Sequence, residues 1–352
     1  MSRGEFEYIE TCLKPLTRGF PGALDLGDDA ALVDIGGGKS LAIAKDALVE
    51  SVHFRVDDTP EDVARKLLRT NLSDMAAMGA VPRFYLTAMA RPKARGEEWL
   101  EGLARGFALD QEIWPITLIG GDTVSTTGPA FCSCTIIGEV ETGKALLRSG
   151  ARPGDLVVVT GTLGDSALGL RVLDGLAASE EARSYLADRY RLPRPRTTIG
   201  PALCGIATSA IDISDGLVAD LGHILERSGT GAVIEAAKLP LSAHACSLPG
   251  ARDAALYGGD DYELLFTVPP ERLGELPGTD GVPITVIGHV EAEVGLRVLT
   301  NRVATFATPA ADGSTSEIFA AREESRPMAA RKSAAVKAVR PSLPTGSPLS
   351  SS

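Results

Sequence analysis

The sequence lacks the cysteine pattern of a zinc or disulfide protein. Its five cysteines are odd in number and none forms a CxxC pair, so neither a zinc ribbon nor a disulfide framework is indicated. Cys132 and Cys134 alternate within an apparent strand, Phe131 to Gly138, and therefore point to the same face. We interpret them as buried thiols rather than as a metal-binding pair.

A long hydrophobic run is also missing. No stretch approaches the roughly 18 apolar residues that a membrane-spanning helix needs. Residues 1–10 are acidic and lack the basic-then-apolar pattern of a signal peptide. Hydrophobic residues make up 44% and charged residues 23% of the 352, which is typical of a globular chain long enough for two domains. We therefore predict a cytoplasmic protein without membrane contact.

Basic residues are outnumbered by acidic ones in the chain before position 322. The net charge is -11, and six of the 35 basic residues but only two of the 46 acidic ones follow position 321. The body before that point is thus more acidic than the whole chain. Such a body does not suit nucleic acid, whose phosphates require basic surface. It can still bind phosphate compounds if divalent cations lie between the two sets of negative charges.

Short apolar runs alternate with helical patterns, which predicts an α/β or α+β fold. The clearest predicted helix spans Thr59 to Met78, with Thr59 as its N-cap. A turn-rich joint, Arg148 to Asp155, indicates a domain boundary, so we predict domains at 1–148 and 149–321. Residues 322–352 are rich in Ala, Ser, Pro and Arg without apolar periodicity and are predicted to be disordered.

Aspartates recur on glycine-flanked or serine-flanked turns after apolar runs. Carboxylates at such positions are held by a rigid scaffold and exposed at its rim. Hard oxygen ligands that come one or two per turn suit Mg²⁺, which shares its remaining positions with substrate phosphates. Any one of these turns is better explained by local backbone hydrogen bonding, but their recurrence favours a metal site. The motifs are Gly27-Asp28-Asp29, Gly120-Gly121-Asp122, Ser214-Asp215-Gly216 and Gly259-Asp260-Asp261, with Asp46 and Asp74 in addition.

Asp74 is the most informative of these residues. On the predicted helix, Leu67, Asn71, Asp74 and Met78 form one stripe, and its apolar members indicate that the stripe faces the core. A buried carboxylate is costly unless it is paired or metal-bound. An ion pair with an arginine such as Arg69 or Arg91 is the alternative, but the polar neighbour Asn71 favours a polar site.

Two glycine-rich or helix-start segments are open to a phosphate-binding interpretation. Gly36 to Ser40 resembles part of a P-loop, but Val33 stands where a glycine is needed and a strand follows, so we predict a hairpin turn. The segment from Asp212 to Asp215 precedes a predicted helix. The free N–H groups of this segment would donate hydrogen bonds either to a bound anion or to a capping side chain, Ser214 or Asp215. Capping does not account for Asp212.

In their order and residue sequence, these motifs resemble those of the thiamine-monophosphate kinase family, which belongs to the superfamily of aminoimidazole ribonucleotide synthetase and selenophosphate synthetase. The resemblance covers about residues 4–290, and the stretch Asn71 to Ala80 and the pair His53-Phe54 are its specific parts. Further matching pieces are Gly4-Glu-Phe6, Gly27-Asp-Asp-Ala-Ala31, Gly120-Gly-Asp-Thr123, Arg148-Ser-Gly150, Thr160-Gly-Thr-Leu-Gly-Asp-Ser166, Ile211-Asp-Ile-Ser-Asp-Gly-Leu217 and Gly258-Gly-Asp-Asp-Tyr-Glu-Leu264.

The resemblance implies a two-domain fold like that of aminoimidazole ribonucleotide synthetase, with N-terminal strands that pair across a homodimer. It implies phosphorylation of thiamine monophosphate by ATP, with several Mg²⁺ ions. By the same resemblance, metal ligands are Asp29, Asp46, Asp74, Asp122, Asp212 and Asp215, of which Asp74 and Asp122 are the most critical for turnover. The nucleotide would contact Gly121, Asp122, Arg148 and Ser214, and thiamine phosphate would contact His53 and Asp260.

Two departures from the family pattern leave alternatives open. Hydroxyl residues often precede the aspartate at position 46, where this chain has Ala44 and Lys45; we predict that the Lys45 ammonium partly replaces the charge of a cation. The aromatic residue that helps to hold the thiamine ring is not clear, and Phe319 is only a candidate. Rival interpretations are another ATP-using superfamily member or a non-catalytic nucleotide or thiamine-phosphate binding protein.

Overall fold

The computed structural model describes residues 5–279, 281–300, 303–307 and 319–320, with side chains for 7–279 and 281–300. The predicted disordered tail, 322–352, lies outside the described residues. The described residues belong to one compact unit built around two sheets. No helix in this described part is long and apolar enough to cross a membrane.

The α-helices are α1 (Glu5–Tyr8), α2 (Pro60–Ala77), α3 (Glu97–Gln111), α4 (Asp165–Leu173), α5 (Glu180–Arg191), α6 (Ile199–Leu203), α7 (Leu217–Ser228), α8 (Ala243–Cys246) and α9 (Ala251–Tyr257). The strands are β1 (Ala31–Gly36), β2 (Lys39–Val49), β3 (Val81–Pro92), β4 (Thr117–Thr126), β5 (Phe131–Glu141), β6 (Leu156–Thr160), β7 (Ser209–Asp212), β8 (Gly231–Glu235), β9 (Leu264–Val268), β10 (Ile284–Glu291), β11 (Gly295–Thr300), β12 (Val303–Ala307) and β13 (Phe319–Ala320). Short 3₁₀ or π turns precede β1 and flank some loops.

The first sheet has the strand order β1-β2-β5-β3-β4, so β4 is an edge strand. β4 runs parallel to β3, whereas the other neighbouring pairs are antiparallel. Helix α2 packs on this sheet, and its buried residues Leu67, Leu68 and Leu72 join the core under it. The predicted N-cap is confirmed, because Thr59 Oγ1 accepts a hydrogen bond from the Asp62 N–H at 3.1 Å.

The glycine-rich segment after β1 is a hairpin turn, as predicted, and not a P-loop. β1 and β2 pair antiparallel on either side of it. Gly37 and Gly38 have φ of 66° and 77°, a left-handed backbone that glycine adopts without steric cost. The glycines are therefore explained by the two-residue turn.

The second sheet has the order β13-β12-β11-β8-β10-β6-β9-β7. The predicted mixture of helices and strands is confirmed. Short apolar runs in the sequence predict ten strands that correspond to β1 to β10, with bounds that differ by several residues, and helical patterns predict α2, α3 and α7. The other described helices and the strands after residue 291 are not predicted. The division at 148/149 stays a prediction, since the described residues form one compact unit.

Helix α2 contacts both halves of this unit. Ala76 and Ala77 near its end share a buried cluster with Leu203 of α6 and Ala210 of β7. A Cβ at Gly200 would lie 2.0 Å from the Ala76 carbonyl oxygen. Glycine is thus required for this close approach of α6 to α2. The packing of α2 against β7 in the same cluster places Asp74 near Asp212.

Candidate active site

Three of the predicted metal ligands come together from distant parts of the chain. Asp29 precedes β1, Asp74 lies on α2 and Asp212 ends β7. One carboxylate oxygen of each lies within 4.8 Å of the others. Carboxylate oxygens this close can hold a divalent cation, because hard oxygen ligands are those that Mg²⁺ prefers.

Asp46, on β2, lies beside these three. Its N–H donates to Asn71 Oδ1 at 3.2 Å, which joins β2 to the helix that carries Asp74. Burial, followed by the charges of Asp46, Asp212 and Asp29, raises the pKa of Asp74 well above its ordinary value. Four carboxylates therefore repel one another in a buried region, an arrangement that a bound cation would stabilise.

The remaining polar contacts of the cluster leave room for a cation. Burial, then the Asp29 charge, raises the pKa of Asp212, while the Ser73 hydroxyl lowers it. Asp29 Oδ2 is buried and has no hydrogen-bond partner among the residues that the structure describes. A buried carboxylate oxygen without a partner is costly, so the residues present fit a divalent metal ion.

Arg148 is the basic residue that the structure places directly against this cluster. Its guanidinium forms an ion pair with Asp29 Oδ1, with Nε at 3.2 Å. The Arg148 N–H donates to Asp28 Oδ1 at 2.6 Å. The predicted nucleotide contact of Arg148 stays a prediction, but the side chain does lie at the aspartate cluster.

The turn after β7 is capped by a residue that sequence reasoning missed. Asp220 Oδ2, in the first turn of α7, accepts hydrogen bonds from the N–H groups of Ser214, Asp215 and Gly216 at 3.0–3.1 Å. Asp220 is buried, and burial raises its pKa well above the ordinary value. Of the sequence-based alternatives, capping is therefore correct for these N–H groups. The cap is Asp220, and not Ser214 or Asp215.

Asp215 is exposed beside this cap, and its charge contributes to the raised pKa of Asp46. It therefore lies near the cluster without belonging to the closest group of three.

Asp122 and Gly121 lie apart from the cluster. Both are on the exposed edge strand β4. Asp46 is in register with Cys134, Cys134 with Thr87, and Thr87 with Gly121. Three strand spacings therefore separate Asp46 from Gly121, a distance of about 14 Å between their Cα atoms. Within the described residues of one chain, the expected convergence holds for positions 29, 46, 74 and 212 but not for 122.

His53 and Asp260 meet at a second polar cluster, around a buried lysine of α2 that was not predicted. Lys66 Nζ donates to Asp260 Oδ2 at 2.9 Å and to the His53 carbonyl oxygen at 2.9 Å. The exposed His53 ring accepts a hydrogen bond from the Val49 N–H at 3.0 Å through Nδ1. The structure thus brings both predicted substrate contacts to one place. Phe319 has only its backbone described, in β13, so its predicted role lies outside the described side chains.

The hypothesis about Lys45 is wrong in the described chain. Lys45 Nζ donates to Ser133 Oγ at 2.8 Å and to Thr135 Oγ1 at 3.3 Å. Consecutive strand residues point to opposite faces, so Lys45 lies on the face of the sheet away from Asp46 and α2. Its ammonium does not replace a cation in the aspartate cluster.

The described contacts give Arg69 and Arg91 other partners than Asp74, and the arginine charge that lowers the pKa of Asp74 is that of Arg148. Arg69 pairs with Asp110, with Nε at 2.8 Å from Oδ2, and the Arg91 guanidinium donates to the Arg95 carbonyl oxygen.

The prediction that Cys132 and Cys134 are buried thiols is confirmed. Burial raises the pKa of Cys132 to about 12, and Cys134 is fully buried.

Two signals in the sequence point to the missed residues. Lys66, Thr70, Ser73 and Asp74 form a polar stripe at helical spacing, beside the buried apolar residues of the same helix. Asp220 follows the glycine of the turn by four residues, a spacing that allows a side chain in the first helical turn to reach back. Neither pattern by itself indicates the partner.

Known proteins are similar to this chain over most of its length. Residues 27–140 match the family AIR synthase related protein, N-terminal domain, and residues 152–301 match its C-terminal domain. A thiamine-monophosphate kinase of Caulobacter vibrioides is 42% identical over 306 residues, which is 82% of this chain and 85% of the relative. One from Salmonella typhimurium is 46% identical over 277 residues, 76% of this chain and 84% of the relative.

A solved structure is similar in fold as well. AaThiL complexed with AMPPCP and TMP has a TM-score of 0.75 and 34% sequence identity, and the match covers 84% of this chain and 93% of that one. The sequence relatives and this structure point to the same family as the motifs around Asp74 and His53. This chain belongs to the thiamine-monophosphate kinase family of the AIR synthase related proteins.

Proposed function

We propose that the chain transfers the γ-phosphoryl group of ATP directly to the phosphate of thiamine monophosphate, forming thiamine diphosphate. The observation that carries the proposal is the convergence of Asp29, Asp74 and Asp212 within 4.8 Å in a member of this family. AMPPCP and TMP, bound by AaThiL, support a nucleotide and a thiamine phosphate as the two reactants.

The residues that would hold Mg²⁺ are Asp29, Asp46, Asp74 and Asp212, with Asp215 nearby. When bound, Mg²⁺ neutralises phosphate charge and aligns the reacting groups. The four carboxyl groups are partly buried and close together, and a cation that displaces their protons would be held by their negative charges. More than one ion would suit this number of carboxylates. Asp122 would take part only if the reactants and their ions extend from the cluster to the edge strand β4.

The acceptor needs no strong general base. A phosphate monoester carries negative oxygens near neutral pH and is already a nucleophile, so the obstacle is repulsion between two polyanions. His53 and Asp260 lie together at the Lys66 cluster, and we assign the thiamine phosphate to that side. The nucleotide would contact Arg148, which lies beside Asp29, and Ser214, which lies on the turn capped by Asp220.

A homodimer through the first sheet is part of the proposal. Among the described strands β4 pairs only with β3, and Leu118, Ile119 and Val124 on it are 45–53% exposed. An exposed, apolar edge strand favours pairing with another chain. The domain division at 148/149 and the cytoplasmic location stay predictions.

The reaction is tested by incubating the purified chain with ATP, Mg²⁺ and thiamine phosphate and measuring thiamine diphosphate by chromatography. Label in the γ-phosphate of ATP should appear in the terminal phosphate of the product. Free thiamine in place of thiamine phosphate, and excess chelator in place of Mg²⁺, are the controls and should give no product. Absence of thiamine diphosphate in the complete reaction would contradict the proposal and leave a binding protein.

Asp122 needs its own test because the described chain places it away from the other carboxylates. We expect Asp122→Asn to reduce turnover by orders of magnitude without loss of folded protein, as for a ligand of the reactants. Near-normal turnover would remove Asp122 from the site and would leave the four-aspartate cluster intact.

A further inference from the structure

The Lys66 side chain is almost completely buried, although it is charged. It lies in the middle of α2, and its side chain is 3% exposed. Removing an ammonium group from water is costly unless its hydrogen bonds are replaced. The three groups that contact the Lys66 ammonium therefore indicate its role in the structure.

Those partners come from separate parts of the chain. Asp260 lies in the loop between α9 and β9, His53 follows β2, and Tyr190 lies on α5. The ammonium donates to a carboxylate and to a carbonyl oxygen, each at 2.9 Å, and lies 4.0 Å from the centre of the Tyr190 ring. The first contacts are charge-assisted hydrogen bonds and the third is a cation–π contact. All sides of the ammonium are thus used.

Both oxygens of Asp260 have partners within the described residues. Oδ2 accepts from Lys66 at 2.9 Å, and Oδ1 accepts from the Tyr262 hydroxyl at 3.2 Å. The Asp260 side chain is 35% exposed although its partner is buried. Lys66 therefore anchors the carboxylate by one oxygen, while part of the same carboxylate stays open to solvent.

The backbone around Asp260 is also held in a defined conformation. Asp260 has φ of 67° and Tyr262 has φ of 51°, a left-handed backbone that costs energy in residues other than glycine. The Asp260 N–H donates to the Ser214 carbonyl oxygen at 2.8 Å, and the Tyr262 N–H donates to that of Ile213 at 2.8 Å. This loop is thereby attached to the segment that carries Asp212.

We propose that Lys66 is a positioning residue for the acceptor: it holds Asp260 and the His53 turn in the relative placement that binds thiamine phosphate. The proposal rests on the proposed function and adds a residue from α2 to it. Lys66 acts through Asp260 and His53 and is not assigned a contact with the reacting atoms. Its loss should therefore weaken acceptor binding and spare the nucleotide.

The test is steady-state kinetics of the full chain, with thiamine phosphate and ATP varied in turn. Lys66→Met, which keeps the apolar stem, should raise the KM for thiamine phosphate by about tenfold to a hundredfold, as expected for loss of hydrogen bonds to a charged group. The KM for ATP should stay near its wild-type value. Lys66→Arg should restore part of the acceptor affinity, because it keeps the charge.

Arg65→Met is the matched control. Arg65 neighbours Lys66 on α2 and pairs with Asp110 at 2.8 Å, so this variant also removes an ion pair from the helix, but away from the acceptor. Its KM for thiamine phosphate should not change. An equal rise in Arg65→Met, or equal rises for both reactants in Lys66→Met, would show a general structural role and overturn the proposal.

Asp260→Asn covers the case in which Lys66→Met does not fold. It keeps the size of the side chain and should raise the same KM, and the double variant should be no worse than the poorer single one. An unchanged KM in Asp260→Asn would overturn the positioning role. A wild-type chain that makes no thiamine diphosphate would instead contradict the proposed function.

Discussion

Asp74 on α2 and Asp212 at the end of β7 place carboxylate oxygens within 4.8 Å of each other across 138 residues of sequence. The charge of each carboxylate makes ionisation of the other less favourable, and burial is the first cause of the raised pKa of both. The metal-free chain therefore carries a destabilising cluster where the proposed chemistry takes place.

Asp74→Asn should stabilise the metal-free chain and inactivate it. The amide keeps the shape but removes one of the repelling charges, so we expect the melting temperature in chelator to rise by roughly 2–6 °C, while turnover falls by orders of magnitude. Thermal unfolding with and without Mg²⁺ measures the first effect, and the wild type should gain more from Mg²⁺ than the variant. Equal Mg²⁺-induced shifts would refute the metal assignment.

The stability difference between these two proteins should depend on pH. A carboxyl group whose pKa is raised in the folded chain favours folding below its ordinary pKa of 3.8, and this stability is lost as the pH rises through the folded value. In chelator, the advantage of Asp74→Asn should therefore be small near pH 4 and grow towards pH 8. Urea unfolding at several pH values measures it. A constant difference would mean that the Asp74 pKa is not raised.

Magnesium affinity should rise with pH for the same reason. Burial and neighbouring charges raise the pKa values of Asp46, Asp74 and Asp212, and a bound ion must displace the protons they hold. We expect the apparent Kd to fall by up to about tenfold per pH unit for each proton displaced. Calorimetric titrations at pH 6.5 and 8.5, in buffers of different ionisation enthalpy, detect the released protons. Equal affinities without proton release would contradict the prediction.

Asp220→Ala should destabilise the chain more than Asp220→Asn. Alanine leaves the N–H groups of Ser214, Asp215 and Gly216 without their shared acceptor, at a cost of about 2–4 kcal/mol in the free energy of unfolding. Asparagine keeps one carbonyl oxygen that can accept them. Urea unfolding compares the two variants. Similar losses in both would show that an amide oxygen does not replace the carboxylate as the shared acceptor.

Adjacent glycines of β4 offer a matched pair of substitutions. A Cβ at Gly121 would lie 2.3 Å from the Thr87 carbonyl oxygen, whereas one at Gly120 would be 3.7 Å from its nearest neighbour, Leu86 Cδ2. Gly121→Ala should cost about 1–3 kcal/mol as an overpacked site, and Gly120→Ala should be close to neutral. Thermal unfolding and turnover of both variants test this. Two equally stable variants would show that β4 tolerates displacement from β3.

The proposed dimer predicts a different result for an exposed residue of the same strand. Ile119→Glu should produce a monomer in sedimentation velocity, because a charge on the apolar edge opposes pairing with a second chain. Val294→Glu, at a 76% exposed position between β10 and β11, is the control and should leave the association state unchanged. A monomeric wild type, or a dimeric Ile119→Glu variant, would exclude this interface.

Local properties of the fold follow from short stretches of sequence. Thr59 and Pro60 set the start of α2, and two glycines fix the turn between β1 and β2. Strand alternation places Asp46 and Lys45 on opposite faces, although the sequence-based hypothesis about Lys45 overlooked this. These features depend on backbone geometry over a few residues, so the residues present are enough to determine them.

The composition of the site depends on contacts between distant segments, which spacing does not encode. The motifs around Asp29, Asp46, Asp74 and Asp212 indicate a polar site, yet the same reasoning placed Asp122 with them, and in one chain it lies at the far edge of the sheet. Similarly, Asp220 and Lys66 are ordinary charged residues in the sequence. Their partners become apparent only where α2, the turn after β7 and the loop before β9 meet.

The sequence by itself determined α2, most strands of the two sheets, the family and the kind of residue at the site, because these follow from local backbone preference and from motifs. Tertiary structure alone decided that Asp74 faces Asp212, that Asp220 caps the turn and that Lys66 pairs with Asp260. The physical reason is that burial makes an unpartnered charge costly. The packing of α2 against α6 at Gly200, and against β7 at Ala210, determines which charges become neighbours.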